Sequence, residues 1–156
     1  MHQIPRNLSD LQRLVDGVPR PALPEDVRVA ERYNTFGDKG PLMDGHRRTI
    51  LTAQTRYTIG DEVRVVHVYE VQAEGVEMEA MGPKHVYGEY LDEAHGTLPA
   101  PVGGVYDGPR VLSPAVDFFF DVTTYQFDAP GDHTLYWQPD DVRSNTVRIT
   151  ITSEVR

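Results

Sequence analysis

The run VRVVHVYEV, Val63 to Val71, constrains the fold more than any other stretch of this chain. As a strand it puts Val63, Val65, His67, Tyr69 and Val71 on one face and Val66 and Val68 on the other. A strand that is apolar on both faces needs cover above and below. It belongs in the middle of a layered β fold.

The neighbouring segments supply further strands. RTILTAQTRYT brings an apolar stretch ahead of the turn signal Gly60-Asp61. VEMEAM alternates Val76, Met78 and Ala80 with Glu77 and Glu79, a half-exposed strand with an acidic outer face. AVDFFFDVTTYQF reads as one strand, or a pair split near Thr123, with Phe118, Phe120 and Val122 opposite Phe119. After the turn DAPGD, HTLYWQ sends His133, Leu135 and Trp137 inward against Thr134 and Tyr136, and TVRITI aligns Val147, Ile149 and Ile151. Short strands at steady spacing, with turns between them, predict an all-β antiparallel sandwich. Thirteen glycines and twelve prolines suit that class better than a helical one.

The N-terminal part is read differently. LSDLQRLVDG offers Ser9 as N-cap, Gln12 at capping-box spacing, a stripe of Leu8, Leu11, Leu14 and Val15, and Gly17 at the C′ place. This predicts a short helix over 7–16, too short to persist unless its stripe docks on the sheet or on another protein. VPRPALPED reads as a stiff extended connector. VRVAERY, 27–33, alternates as a strand would, with a helix started by Pro24 as the rival. The expected organisation is an arm over 1–48 and a β domain over 49–156. Within that domain a long Pro- and Gly-rich connection, 96–114, is either a functional loop or a crossover between sheets.

YQFDAPGDHTLYW and SNTVRITI together resemble the closing strands of bacterial immunoglobulin-like domains, a likeness extended by YTIGDEVRVVHV. The resemblance implies an immunoglobulin-like β-sandwich of about seven strands, without the antibody-type cysteine pair. It implies no activity, because that fold carries many unrelated functions.

Charge narrows the choice of partners. The net charge is −9: residues 1–48 hold eight Lys/Arg against seven Asp/Glu, and 49–156 hold seven against seventeen. Such a body repels phosphate backbones and anionic bilayers, so neither nucleic acid nor membrane is expected. The expected partner is a protein, a basic one or a second copy. With no cysteine there is no disulfide scaffold and no thiolate metal site. The opening MHQIPRNLSD has no apolar signal core and no run reaches spanning length, so a cytoplasmic location is expected.

Chemistry is concentrated in KHVYGEYLDEAH, Lys84 to His95. On a strand, His85 and Glu89 stand four residues apart, roughly 13 Å, too far to share one metal ion. The remaining metal candidates are His85 with Asp92, Glu93 and His95, at a spacing that matches no defined ligand pattern. His67 and His133 read as hydrogen-bonded core or rim residues, unless both point inward and meet. The four serines lie outside any nucleophile elbow, Ser144 beside Asn145 having a turn role, and no phosphate loop is present. No catalytic residue and no cofactor are expected. The residues proposed for binding are Glu77, Glu79, His85, Tyr87, Glu89, Tyr90, Asp92, Glu93 and Tyr106, as an acidic face bearing tyrosines. On this reading outward side chains recognise a partner and the interior holds no reactive centre. The rival functions are an inhibitor that plugs a basic active site, and a small metal or ligand carrier at His85 and His95.

Overall fold

The computed structural model describes residues 12–16, 18–79, 86–95 and 110–153. Strand accounts for 47% of the chain against one short α-helix, so the fold is mostly β. Two principal sheets carry it. The smaller has the order β10-β5-β3, from β3 (His46–Thr52), β5 (Val63–Val71) and β10 (Ala115–Tyr125). The larger has the order β4-β12-β11-β7-β8, from β4 (Arg56–Thr58), β7 (Glu89–Leu91), β8 (Ala94–His95), β11 (Gly131–Trp137) and β12 (Val147–Thr152). Two small ribbons flank them: β1 (Gln12–Val15) with β2 (Val18–Pro21), and β6 (Glu77–Glu79) with β9 (Arg110–Leu112).

The expectation for β5 holds. It is the middle strand of its sheet, and its two faces serve two different cores. Val63 and Val65 pack with Ile50 of β3 and with Tyr57, Leu135, Trp137, Ile149 and Ile151 of the larger sheet. Val66 and Val68 pack with Leu51, Val116 and Phe118, under Val29, Ala30 and Tyr33. The layers therefore run helix, three strands, five strands. Each buried Val or Ile in such a core contributes about 1.5–3 kcal/mol relative to full exposure.

That helix, α1 (Pro24–Glu31), replaces the strand expected over 27–33, and the rival reading that started at Pro24 is the one realised. Pro24 stands at the first helical turn, where its missing N–H costs nothing, and Glu25 and Asp26 favour the positive end of the helix dipole. Val29 and Ala30 face the sheet. Asp26 receives both Nε (2.9 Å) and Nη2 (2.8 Å) of Arg64 on β5, a bidentate pair that raises the guanidinium pKa and fixes the helix on the sheet.

The helix expected over 7–16 does not form in its described part. Residues 12–15 are β1, paired antiparallel with β2 in the register Arg13↔Arg20, Leu14↔Pro19 and Val15↔Val18. Asp16, at φ 52°, turns the chain left-handed, and the Asp-Gly step is a hairpin signal. The connector reading fails with it, since 18–21 is a strand and 24–31 a helix.

The C-terminal strands follow expectation closely. β10 runs through 115–125 with a register shift between Phe119 and Thr123, beside the split foreseen at Thr123. Phe118 enters the helix-side core and Phe119 the inter-sheet core. β11 and β12 pair antiparallel, with Val147, Ile149 and Ile151 inward. Among the described residues one pairing departs from an all-antiparallel plan: β4 lies parallel to β12, Tyr57 opposite Ile151.

Two close approaches cover the free edge of β3 in the smaller sheet. A Cβ at Gly40 would lie 1.9 Å from the Arg48 carbonyl, so only glycine lets that segment cover the edge of β3. The Asn145 side chain, leading into β12, accepts from the Ile50 N–H (2.8 Å) and donates to the Ile50 carbonyl (3.0 Å). It thereby takes the place of a neighbouring strand at β3. No helix among the described residues is long and apolar enough to cross a membrane.

Candidate functional site

The KHVYGEYLDEAH stretch divides in the fold. His85 lies outside the described residues, as does Tyr106. Gly88 has φ +78°, and a Cβ there would sit 2.5 Å from Pro139 Cα, so the chain passes tightly against the loop after β11. Gln138 N–H donates to the Gly88 carbonyl and the Trp137 indole donates to the Tyr87 carbonyl. β7 starts immediately after this crossing. Asp92 and Glu93, both at positive φ (51° and 67°), then turn the chain back into β8.

Alternation along β7 separates residues that the sequence reading grouped. Glu89 and Leu91 point into the inter-sheet core, while Tyr90 points outward. Glu89 is fully buried, so its assignment to an exposed binding face is overturned. Its carboxylate accepts His67 Nε2 at 2.5 Å, the Thr123 hydroxyl at 2.6 Å and the Tyr125 hydroxyl at 2.5 Å. His67 belongs to β5 and the two hydroxyls to β10, so one side chain of the larger sheet is bolted to two strands of the smaller. Burial pushes the Glu89 pKa up, and His67 with the two hydroxyls more than reverses it, leaving the carboxyl below its usual range. The same burial and the adjacent Glu89 raise the Tyr125 phenol.

His67 is thus a hydrogen-bonded core residue, as expected, and what the sequence reading missed is its buried carboxylate partner Glu89. Trp137 stands edge-on to His67 at 4.9 Å and to Phe119 at 5.0 Å. His67 Nδ1 is buried with no hydrogen-bond partner.

A chain of polar groups continues toward the surface. The Arg48 guanidinium lies 4.5 Å from the Tyr69 ring centre and 4.7 Å from that of Trp137, and its Nη2 donates to Asp140 at 2.7 Å. Burial raises the Asp140 pKa, but Arg48 and the Val142 amide bring it below the usual range. His46 Nδ1 lies 2.5 Å from the Tyr69 hydroxyl. A second buried acid, Glu70, accepts from the Tyr33 hydroxyl beneath α1 and from Gln72 at 2.7 Å.

His67 and His133 do not meet. His133 sits on the rim, its ring stacked on Phe127 at 4.1 Å and its Nδ1 2.6 Å from Asp92 Oδ2. Asp92, expected among the metal candidates, is also bonded by the Thr134 amide at 2.9 Å. Glu93 is exposed on the turn. Among the described residues no three histidine or acidic side chains gather as a metal site.

The remaining binding candidates fall on two separate surfaces. Glu77 is exposed on the β6–β9 ribbon, with Glu79 on the same strand. Tyr90 stands on the outer face of the five-stranded sheet, stacked on Tyr136 of β11 at 4.8 Å and 10°. The Arg143 guanidinium lies 3.8 Å over the Tyr136 ring. Two groups cannot cover one ring face at these distances, so the arginine and Tyr90 enclose Tyr136 from opposite sides. The single acidic, tyrosine-bearing face of the sequence reading is therefore two surfaces, and the tyrosine one carries arginine. Tyr136 and Arg143 were not among the candidates, although the alternation in HTLYWQ already pointed Tyr136 outward. Comparison with protein-family models, with curated proteins and with solved structures finds no match.

Proposed function

We propose that this chain is a non-enzymatic protein-binding module of immunoglobulin-like layout, acting through the outer face of its five-stranded sheet. The layout rests on two sheets sharing one core and on the β10–β11–β12 succession around a Pro-Gly corner. The observation that carries the binding reading is the Tyr90–Tyr136–Arg143 stack at the surface. Tyrosine and arginine supply large, pre-ordered contact area at small entropic cost, and both are enriched in recognition surfaces.

The one buried imidazole–carboxylate pair among the described residues favours structure over chemistry. Both Glu89 oxygens already accept hydrogen bonds, Oε2 from His67 and Oε1 from Thr123 and Tyr125, and neither residue is exposed. A general base needs an oxygen or nitrogen within reach of substrate.

The test is affinity capture from native lysate with the wild-type chain and a Tyr90→Ser/Tyr136→Ser variant, each checked for native thermal melting. A protein retained by the wild type and lost from the folded variant is expected. Equal retention by both, or no specific protein on either, overturns the reading.

A further inference from the structure

The net charge of −9 points toward basic partners, but it is an average over the chain. The outer face of the five-stranded sheet departs from that average. Arg56 of β4 and Arg148 of β12 are exposed on strands whose intervening residues, Tyr57, Val147 and Ile149, are buried on the core side. Arg143 joins them from the loop before β12, over Tyr136. None of these three arginines has a carboxylate partner among the described residues, in a chain where acids outnumber bases 24 to 15. Asp132 of the adjacent β11, opposite Thr150, accepts from the Thr150 hydroxyl at 2.9 Å.

The register brings cations and rings together. Tyr136 is opposite Tyr90, and Thr134, two residues along β11, is opposite Arg148. Arg148 therefore stands one row from the tyrosine pair, about 7 Å along the strand. Unpaired guanidiniums beside stacked phenols form a surface that carboxylates complement, through bidentate hydrogen bonds at the arginines and apolar contact at the rings.

Resting on the binding reading above, we propose that this face takes an acidic polypeptide segment, recognised by Arg143 and Arg148 beside the Tyr90–Tyr136 pair. An extended polyphosphate is disfavoured because the face is rimmed by acids. Asp92 and Glu93 lie at the β7–β8 turn and Asp140 and Asp141 in the loop before Arg143, all exposed. A nucleic acid longer than the patch would run its phosphates past them, whereas a short run of carboxylates ends within it.

Fluorescence anisotropy with a short dye-labelled polyglutamate peptide and the full chain tests this. Saturable binding that weakens as sodium chloride rises is expected, with a loss of at least about tenfold in Arg143→Glu/Arg148→Glu. Arg28→Glu, at an exposed position of α1 away from this face, is expected to bind as the wild type does. Absence of wild-type binding, an equal loss in Arg28→Glu, or tighter binding of a single-stranded oligonucleotide overturns the proposal. If a captured partner depends on Tyr136 but is indifferent to Arg143→Glu/Arg148→Glu, the binding face stands and its preference for acids falls. If capture depends on neither, both readings fall.

Discussion

Glu89 shows how much one side chain can decide. It is a carboxylate with no exposure, and its three donors come from the opposite sheet. Glu89→Gln keeps the shape but leaves one acceptor oxygen where two served, and turns an amide N–H₂ toward groups that are themselves donors. Breaking a buried charged network in this way costs about 3 kcal/mol. Tyr125→Phe removes one donor and leaves two, for about 1 kcal/mol. Urea denaturation of the two variants checks the order: Glu89→Gln is expected to lose clearly more, and equal small losses would mean that the network does not hold the sheets. The residue was visible in the sequence, but its direction was not. Alternation sets Glu89 opposite Tyr90 without saying which of them faces the core. The flanking Gly88 crossing, which aims the strand, depends on Pro139, distant in sequence.

At the scale of elements, what was legible was what period and turn chemistry specify locally. β5, β11 and β12 each carry their apolar residues at spacing two, and each forms as expected. The 7–16 segment carries Leu8, Leu11 and Leu14 at a helical spacing, and the Asp16-Gly17 step served equally as a helix end or a hairpin turn. Pro19 and Pro21 break the tie in the fold by keeping the returning chain extended. The clamp at β3 was out of reach, because Asn145 and Ile50 are 95 residues apart. Its weight is testable. Asn145→Ala leaves the buried Ile50 N–H and carbonyl without the amide that matches them, a loss of about 2 kcal/mol. Hydrogen exchange provides the local reading: the Ile50 amide is expected to exchange faster by more than the global loss explains. An Ile50 amide as protected as in the wild type would show that the clamp contributes little.

At the scale of the whole molecule, acid is the condition that tests how the sheets are joined. Glu89, Asp92 and Asp140 all have pKa values below their ordinary ones, so each is deprotonated more readily folded than unfolded. In the denatured chain a glutamate takes up its proton near pH 4.3, while Glu89 in the folded chain waits for a lower pH. The unfolded state therefore binds more protons between those two values, and stability falls with falling pH across that window. Above it the contribution is fully present. Asp92 and Asp140 are about half exposed and solvent screens them, which leaves Glu89 to set most of the slope. Relief of self-repulsion acts the other way, since a chain at −9 loses net negative charge as pH falls from neutrality, so the decline is confined to the acid end. Denaturant titrations from neutrality to about pH 2 are expected to show a steep loss below about pH 4 in the wild type and a shallower one in Glu89→Gln. The variant starts from lower stability at neutrality, and the two curves converge as the wild-type carboxylate is protonated. Parallel curves at every pH would place the acid-sensitive joint somewhere other than the contact of Glu89 with His67, Thr123 and Tyr125.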